Sequence, residues 1–320
     1  MNLRKGYFLD LGGNGSRDRW SFLEHRGPRI CQCAGHYEEM PVVDRVLLYE
    51  LIDELSKIGI DLIVLDVLDA MEYKSHPEIS LKNAFTHEEM RKLLSYMRER
   101  GIEPIPKLNF SACHDTWLKE YSWMKGTAKY YEVVKDLIDE VCLVFDRPSL
   151  FHLGMDEEDM PSHKKGMTII RCNDLWFHDL YFYMDCVEKN GVRPWIWGDY
   201  YWAHPNEFLK KMPKECLISN WGYMRYDEGH PRVKMQYDTY IALAKHGYDQ
   251  MPCSSTWCCH QNVAQEVHFF QKHGLIDEHF VGILATPWAG IQQINRYRLL
   301  DDAYRLMHAC KLLETEKTEA

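Results

Sequence analysis

Segments with the pattern of a buried strand alternate with segments of helical periodicity along this sequence. Residues 61–67 are almost continuously apolar, which is typical of a parallel strand that is covered on both faces. Residues 42–58 instead repeat apolar side chains three and four positions apart, which indicates a helix. Because strand–helix–strand units with short connections require a parallel sheet, this alternation constrains the fold more than any other feature.

The sequence contains eight such strand–helix units. The predicted strands cover residues 7–11, 61–67, 103–108, 150–153, 194–197, 216–219, 248–253 and 281–285, and the predicted helices cover 42–58, 87–100, 128–145, 170–190, 206–212, 237–246, 262–273 and 291–313. Eight repeats close a parallel sheet into a (β/α)8 TIM barrel, so we predict a single domain over residues 1–320, with a long first βα loop at 12–41. A doubly wound open sheet is the alternative, but no Gly-x-Gly-x-x-Gly segment follows the first strand.

Local signals predict where several helices begin and end. Thr86 and Glu89 have the spacing of a capping box at a helix start. Gly101, Gly191 and Gly247 each follow a predicted helix, and we expect each of them to end it.

Composition argues against several classes of protein. The net charge of −10 disfavours nonspecific nucleic-acid binding, because that binding needs basic patches. No run of about 18 apolar residues is present, so we expect no membrane span. The N-terminal residues lack the apolar core of a signal peptide, which predicts a cytoplasmic protein unless a leader precedes this sequence.

Cysteine usage favours reduced thiols over a disulfide framework, because the eleven cysteines are scattered and lie mostly inside predicted elements. Two local groups contain side chains that could bind a metal. Neither has the paired spacing of a zinc module: the first is Cys31, Cys33 and His36, and the second is Cys253, Cys258, Cys259 and His260. We therefore predict no bound metal and no cofactor.

Polar and aromatic residues lie at or just beyond the end of every predicted strand, where a TIM barrel carries its active site. In chain order they are Asp10, Asp66, Asp69, Lys107, Asn109, His114, Trp117, His152, Asp156, Glu157, Trp197, Asp199, Tyr200, Trp202, Asn220, Trp221, Tyr223, Trp257 and Trp288. Indole faces pack against the C–H faces of a sugar ring and polar groups bind its hydroxyls, so this rim predicts a carbohydrate ligand. The alternative for Asp66 and His152 is a structural role, in which their hydrogen bonds are satisfied inside the mouth of the barrel.

Asp156 and Glu157 are neighbouring carboxylates just after the fourth predicted strand, which Gly154 ends. Neighbouring acids repel each other, so their pKa values are expected to separate, and one of them can keep a proton to donate. The alternative is a solvated acidic loop. Their place on the rim favours a catalytic pair.

Two motifs of this sequence have the residue pattern of a known family. His152-Leu-Gly-Met-Asp156-Glu157 resembles the His-x-Gly-Gly-Asp-Glu signature that ends the fourth barrel strand of family 20 glycoside hydrolases, the β-N-acetylhexosaminidases. The segment Ile102-Glu-Pro-Ile-Pro-Lys107-Leu-Asn109-Phe-Ser-Ala-Cys-His114 is similar to the family's third-strand segment, Ile-Pro-Glu-Ile-Asp-x-Pro-Gly-His.

The resemblance implies an exo-acting, retaining glycosidase in which the substrate's own 2-acetamido group is the nucleophile. Glu157 would be the general acid, and Asp156 would orient the acetamido group. The substrate-binding residues expected on this basis are Asp10, Asn109, His114, His152, Trp197, Asp199, Trp221, Trp257 and Trp288.

This sequence departs from the family at several positions, most of which would bind the sugar. Met155 replaces the second glycine, Lys107 and Asn109 replace acidic residues, Ser254 to Trp257 replace a Tyr-x-Asp, and Gly290 replaces the glutamate of a Trp-x-Glu. The first-strand arginine has no equivalent near Asp10, although Arg17 or Arg19 could substitute for it. We therefore expect a divergent specificity.

Two other hypotheses remain open. A catalytically silent sugar-binding barrel would explain the departures as lost chemistry. A metal-dependent barrel hydrolase is less consistent, because no His-x-His follows the first strand. The sequence also leaves the oligomeric state open, with a homodimer as one option.

Overall fold

The computed structural model describes residues 3–12, 43–112, 114–158 and 171–316. Most of the predicted first loop lies outside these ranges. So do Arg17, Arg19, Cys31, Cys33 and His36, and the expectations about them stay predictions.

Eight parallel strands form one sheet. They are β1 (Arg4–Asp10), β2 (Leu62–Asp66), β3 (Glu103–Lys107), β4 (Leu150–His152), β5 (Arg193–Trp197), β6 (Leu217–Ser219), β7 (Cys253–Ser254) and β8 (Gly282–Ala285). Their order is β6-β5-β4-β3-β2-β1-β8-β7. Parallel bridges from Ile218 to Gln250 and from Trp221 to Cys253 join the two ends of the sheet. The predicted TIM barrel is thus confirmed as a nearly closed barrel.

Helices connect the strands. They are α1 (Arg45–Ile58), α2 (His87–Arg98), α3 (Ala128–Val144), α4 (Asp174–Lys189), α5 (Tyr200–Ala203), α6 (Pro205–Lys211), α7 (Pro231–Lys245), α8 (Asn262–Lys272) and α9 (Arg296–Glu316). The predicted capping box is present, because Thr86 and Glu89 each accept the other's backbone N–H, at 3.1 and 2.9 Å. Gly101, Gly191 and Gly247 have φ of 73°, 75° and 66°, which confirms their predicted place at helix ends.

Several element boundaries differ from the prediction. Helix α7 begins six residues earlier than residue 237, because Pro231 fits the first helical position and His230 Nδ1 accepts the Val233 N–H at 3.4 Å. Strand β7 has two residues, since the predicted strand 248–253 pairs before Cys253 only through isolated bridges at Gln250. Helix α4 begins at Asp174, because Asn173 has φ of 53°. A 3-10 segment, Thr116–Met124, and helix α5 were not predicted.

Alternate strand residues pack on opposite sides of the sheet. Tyr7 and Leu9 belong to the large cluster between the sheet and the helices, whereas Phe8 belongs to a smaller cluster that fills the barrel. Trp197 is part of the smaller cluster and Trp288 packs against it, so the barrel interior supports the candidate site directly. No helix in the described ranges is both long and apolar enough to cross a membrane.

Candidate active site

The acid pair lies in a tight turn at the carboxyl end of β4. Gly154, Met155 and Glu157 have φ of 73°, 71° and 53°. This left-handed region costs a residue with a side chain on the order of 1 kcal/mol, so other contacts must hold Met155 and Glu157 there. A Cβ at Gly154 would clash with the Asn109 side chain and lie 2.9 Å from the Asn109 Cα, which explains the requirement for glycine.

His114, from the loop after β3, bridges the two carboxylates. Its Nε2 lies 3.2 Å from Asp156 Oδ2 and 3.3 Å from Glu157 Oε2. Burial alone would lower the pKa of His114, but the attraction of the two carboxylates outweighs burial and raises this pKa to about 10. His114 is therefore a cation at neutral pH.

Three side chains hold Asp156 in its ionised form. Asn109 Nδ2 and Ser111 Oγ donate to Oδ1 at 2.9 and 3.2 Å, and His114 contacts Oδ2. Burial would raise the pKa of Asp156, but the charge of His114 outweighs burial and lowers the pKa below its usual range. Glu157 is more accessible, with 32% of its side chain exposed. The two neighbouring acids therefore differ in environment.

Asp199, at the end of β5, fixes the backbone of Glu157. One carboxylate oxygen accepts the Glu157 N–H at 2.7 Å, and the other accepts the Trp221 indole N–H at 3.2 Å. Burial, together with the charges of Asp156 and Glu157, raises the pKa of Asp199 well above its usual range. Asp199 thus connects the candidate acid to one wall of the cleft.

The acid pair faces a cleft of about 560 Å³ that has a polar half and an aromatic half. The polar half comes from Lys107, Asn109, His114, Asp156 and Glu157, and the aromatic half from Trp197, Trp221, Tyr223, Trp257 and Trp288. Trp221 stacks on Tyr223, with ring centroids 5.2 Å apart and planes 19° apart. A ligand with polar groups along one side and an apolar face on the other would match this division.

Lys107, which lines the cleft, forms a buried ion pair with Asp66, with 2% and 1% of the side chains exposed. Burial raises the pKa of Asp66, and the charge of Lys107 opposes that shift. His152, the register partner of Lys107, is fully buried, and its ring centroid lies 4.4 Å from that of Trp197. Burial and then the charge of Lys107 hold the pKa of His152 well below its usual range, so this ring is neutral.

The structure brings most of the predicted site residues to this one cleft, which includes Asn109, His114, Asp156, Glu157, Trp197, Trp221, Trp257 and Trp288. Asp10, His152 and Asp199 do not line it. Asp10 Oδ1 accepts the Gly12 N–H at 3.1 Å, and His152 Nδ1 accepts the Gly154 N–H at 3.0 Å. The roles of all these residues in binding or catalysis stay predictions.

Lys107 and Tyr223 also line the cleft. Both belong to the rim predicted from the sequence, but neither is among the predicted substrate-binding residues; Lys107 is the last residue of β3, and Tyr223 follows β6. Lys107 stands where the family has an acidic residue, and its pairing with Asp66 depends on the contact between β2 and β3. The local sequence pattern does not reveal this contact, because β2 and β3 are distant along the chain.

Within the described ranges, no group of three or more His, Cys, Asp and Glu side chains could hold a metal ion. Of the second cysteine group, Cys253 is buried, with Sγ 3.4 Å from the Tyr223 hydroxyl and 3.3 Å from Thr286 Oγ1, and Cys258 is exposed. The prediction that this protein needs no metal or cofactor is not tested by this finding.

Comparison with other sequences gives low similarity. No protein-family model matches this chain. A beta-hexosaminidase from Emericella nidulans is 26% identical over 28% of this chain and 19% of its own length. Beta-hexosaminidase 1 from Coccidioides posadasii is 24% identical over 47% of this chain and 32% of its own length. The similarity thus spans less than a third of these relatives.

Comparison with solved structures gives a clear fold match. A chitobiase from Flavobacterium johnsoniae aligns with a TM-score of 0.62 and 20% identity, over 82% of this chain and 45% of its own. A family 20 exo β-N-acetylglucosaminidase from Vibrio harveyi aligns with a TM-score of 0.60 and 15% identity, over 95% of this chain and 54% of its own. This chain therefore has the barrel fold of family 20 glycoside hydrolases and resembles them as a divergent sequence.

Proposed function

We propose that this barrel is a glycoside hydrolase of the hexosaminidase type, which removes a terminal N-acetylated hexosamine or a related sugar. One observation carries the proposal: Asp156 and Glu157 lie side by side, bridged by His114, and line a cleft whose other half is aromatic. The names of similar proteins, beta-hexosaminidase and exo β-N-acetylglucosaminidase, support the same reaction class.

The two acids have different roles in this proposal. Ionised Asp156 accepts the N–H of the substrate's 2-acetamido group and orients it, so that the acetamido oxygen attacks the anomeric carbon. Glu157 donates its proton to the glycosidic oxygen as the C–O bond breaks, and the electron pair of that bond leaves with the alcohol. Glu157 then takes a proton from the water that opens the intermediate, and the anomeric configuration is retained.

The remaining cleft residues bind and orient the ring. The indoles of Trp197, Trp221, Trp257 and Trp288 offer apolar faces for the ring's C–H bonds. Gly290 and the segment from Ser254 to Trp257 lack the groups with which the family binds hydroxyls and the acetamido group. For this reason the sugar is proposed only as an N-acetylated hexosamine or a relative of one.

Replacement of Glu157 tests the proposal. We expect Glu157→Gln to lower kcat on unactivated glycosides by about 100-fold or more, because general acid catalysis contributes this much and glutamine has no proton to donate. A panel of chromogenic glycosides, with and without a thiazoline inhibitor that mimics the acetamido intermediate, gives the substrate preference.

The exposed Glu99, at the end of α2, provides a matched control, and Glu99→Gln should retain wild-type turnover. Equal turnover of methyl β-N-acetylglucosaminide, whose leaving group needs protonation, by wild type and Glu157→Gln would show that Glu157 is not the acid.

A specific observation favours the silent sugar-binding barrel as a second candidate. The cleft keeps aromatic walls for a ring, whereas Gly290 and the segment from Ser254 to Trp257 lack the groups with which the family binds its substrate, a pattern expected of a site that binds sugar without hydrolysing it. This candidate predicts saturable heat of sugar binding by calorimetry, with no hydrolysis across the glycoside panel. Hydrolysis of any glycoside by the wild type, lost in Glu157→Gln, would exclude it.

Three further expectations accompany the proposal. A cytoplasmic location is testable by cell fractionation, and a homodimer by light scattering of the purified protein. Nucleic-acid binding is not expected of a chain with a net charge of −10, which a filter-binding assay checks.

A further inference from the structure

Glu158, the residue after the candidate acid, is a buried carboxylate that takes no part in the proposed chemistry. Its side chain is 1% exposed, whereas that of Glu157 is 32% exposed and lines the cleft. The turn therefore places one carboxylate at the cleft and the next one in the protein interior. A buried charge is unfavourable unless it is paired, so the contacts of Glu158 show what this side chain holds together.

Arg171 is the first partner of Glu158. The two side chains form an ion pair, and the guanidinium is only 3% exposed. Its Nη2 also donates to the Phe110 carbonyl oxygen at 2.7 Å, while Nη1 donates to Asp179 at 3.0 Å and to the Tyr183 hydroxyl at 2.7 Å. The guanidinium therefore joins the acid turn, the segment after β3 and helix α4 at one point.

The backbone after β3 is the second partner of Glu158. Glu158 Oε1 accepts the Ala112 N–H at 2.9 Å. The same loop carries His114, whose Nε2 lies 3.3 Å from Glu157 Oε2. One buried carboxylate thus fixes the acid turn against the loop that contacts the acid.

We propose that Glu158 is a positioning residue, which holds the acid Glu157 in place through its buried pair with Arg171. The inference rests on the proposed function, in which Glu157 protonates the glycosidic oxygen. Glu157 has φ of 53°, so its backbone needs contacts on both sides to stay in this unfavourable region. Asp199 holds the Glu157 N–H, and the Glu158 side chain holds the following residue. Displacement of a reacting group by about 1 Å can cost on the order of 100-fold in rate.

The dependence of kcat on the leaving group tests this inference, because a displaced acid slows only substrates whose leaving group needs a proton. Two substrates with the same ring serve: methyl β-N-acetylglucosaminide, which needs the proton, and dinitrophenyl β-N-acetylglucosaminide, whose leaving group departs as an anion. The quantity to measure is the ratio of their kcat values, methyl over dinitrophenyl.

We expect Glu158→Ala to lower kcat for the methyl glycoside by about 10- to 100-fold, with KM nearly unchanged, and kcat for the dinitrophenyl glycoside by less than about threefold. The ratio should therefore fall. Glu158→Gln should keep most of the ratio, because its amide oxygen can still accept from Ala112 and Arg171. A residue that only stabilises the fold would not change the ratio.

Glu103, the first residue of β3, provides a matched control at the opposite end of the barrel from the cleft. It also forms an ion pair with an arginine, and its Oε2 lies 2.7 Å from Arg4 Nη2. Glu103→Ala should leave the ratio of the two kcat values unchanged, even where urea unfolding shows a loss of stability.

An equal loss of kcat on both substrates in Glu158→Ala, or no loss on either, would overturn the inference. If Glu158→Ala does not fold, Arg171→Lys gives the same test, because lysine keeps the charge but one ammonium cannot reach all partners of the guanidinium. An unchanged ratio in that variant would also overturn the inference.

Glu157→Gln separates the two proposals. If it lowers the ratio and Glu158→Ala does not, the proposed acid stands and the inference alone fails. If Glu157→Gln leaves the ratio unchanged, the assignment of the acid fails and the inference fails with it.

Discussion

At the scale of single residues, His114 couples the charge of the site to the stability of the fold. Its pKa in the folded state is raised to about 10, against about 6.5 in an unfolded chain. The stabilisation is fully present below pH 6.5 and is lost as the pH rises through 10. Between these limits the folded state binds up to one proton more than the unfolded chain. Each unit of rise in pH therefore lowers the free energy of unfolding by up to about 1.4 kcal/mol through this group.

We expect His114→Gln to remove this dependence. Urea unfolding of wild type and variant between pH 7 and pH 9.5 measures it, and the difference between their free energies of unfolding should shrink as the pH rises. His308→Gln, at an exposed position of α9, is the matched control and should follow the wild type. Parallel curves for wild type and His114→Gln would contradict the raised pKa.

Met155 occupies a backbone conformation that favours glycine, while its side chain is fully buried in the core. Removal of a buried methionine side chain costs about 2–5 kcal/mol, so both Met155→Ala and Met155→Gly should be destabilised. Glycine relieves the left-handed strain and alanine does not. We therefore expect Met155→Gly to be about 1 kcal/mol more stable than Met155→Ala in urea unfolding, the reverse of the usual order. The opposite order would show that φ at this position relaxes freely.

At the scale of elements, the loop after β7 is fixed by side chains of α8 and α9. Asn262 Oδ1 accepts the Ser255 N–H at 2.9 Å, and Asp302 Oδ1 accepts the Thr256 N–H at 2.8 Å. Ser255 Oγ in turn accepts the Trp257 N–H at 3.1 Å. These bonds hold the loop, and Trp257 with it, at the cleft, although Asn262 and Asp302 lie in helices outside the barrel.

Asp302→Ala should release this loop. The buried Thr256 N–H would lose its acceptor, which costs about 1–3 kcal/mol of folding stability. We also expect KM for an aryl glycoside to rise several-fold, with a smaller change in kcat, because in the proposed function Trp257 binds the ring without taking part in the chemistry. Asp302→Asn keeps an oxygen acceptor and should preserve both properties. Equal damage in the two variants would mean that the carboxylate has another role.

At the scale of the whole molecule, the sequence predicted what depends on local pattern. Buried strands such as Leu62–Asp66 are visible in the sequence as apolar runs. Eight strand–helix units are compatible with few topologies, so the barrel and the residues on its rim could be predicted. Gly154, Asp156 and Glu157 were found because their spacing is a motif. What escaped prediction depends on pairing between distant segments. Three features are examples: the ion pair between Lys107 and Asp66, the hydrogen bond from the Glu157 N–H to Asp199, and the short strand β7. Each depends on which strands lie next to each other in the sheet.

The two halves of the cleft come from different stretches of the chain. Its polar side is supplied between residues 107 and 157, and its aromatic side between residues 197 and 288. In the proposed function, proton transfer and ring selection are thus encoded by separate stretches, and substitutions in the second stretch are expected to change which ring is accepted while the acid pair persists. Exchange of the β5–β8 loops between related barrels would then be a direct route to altered specificity.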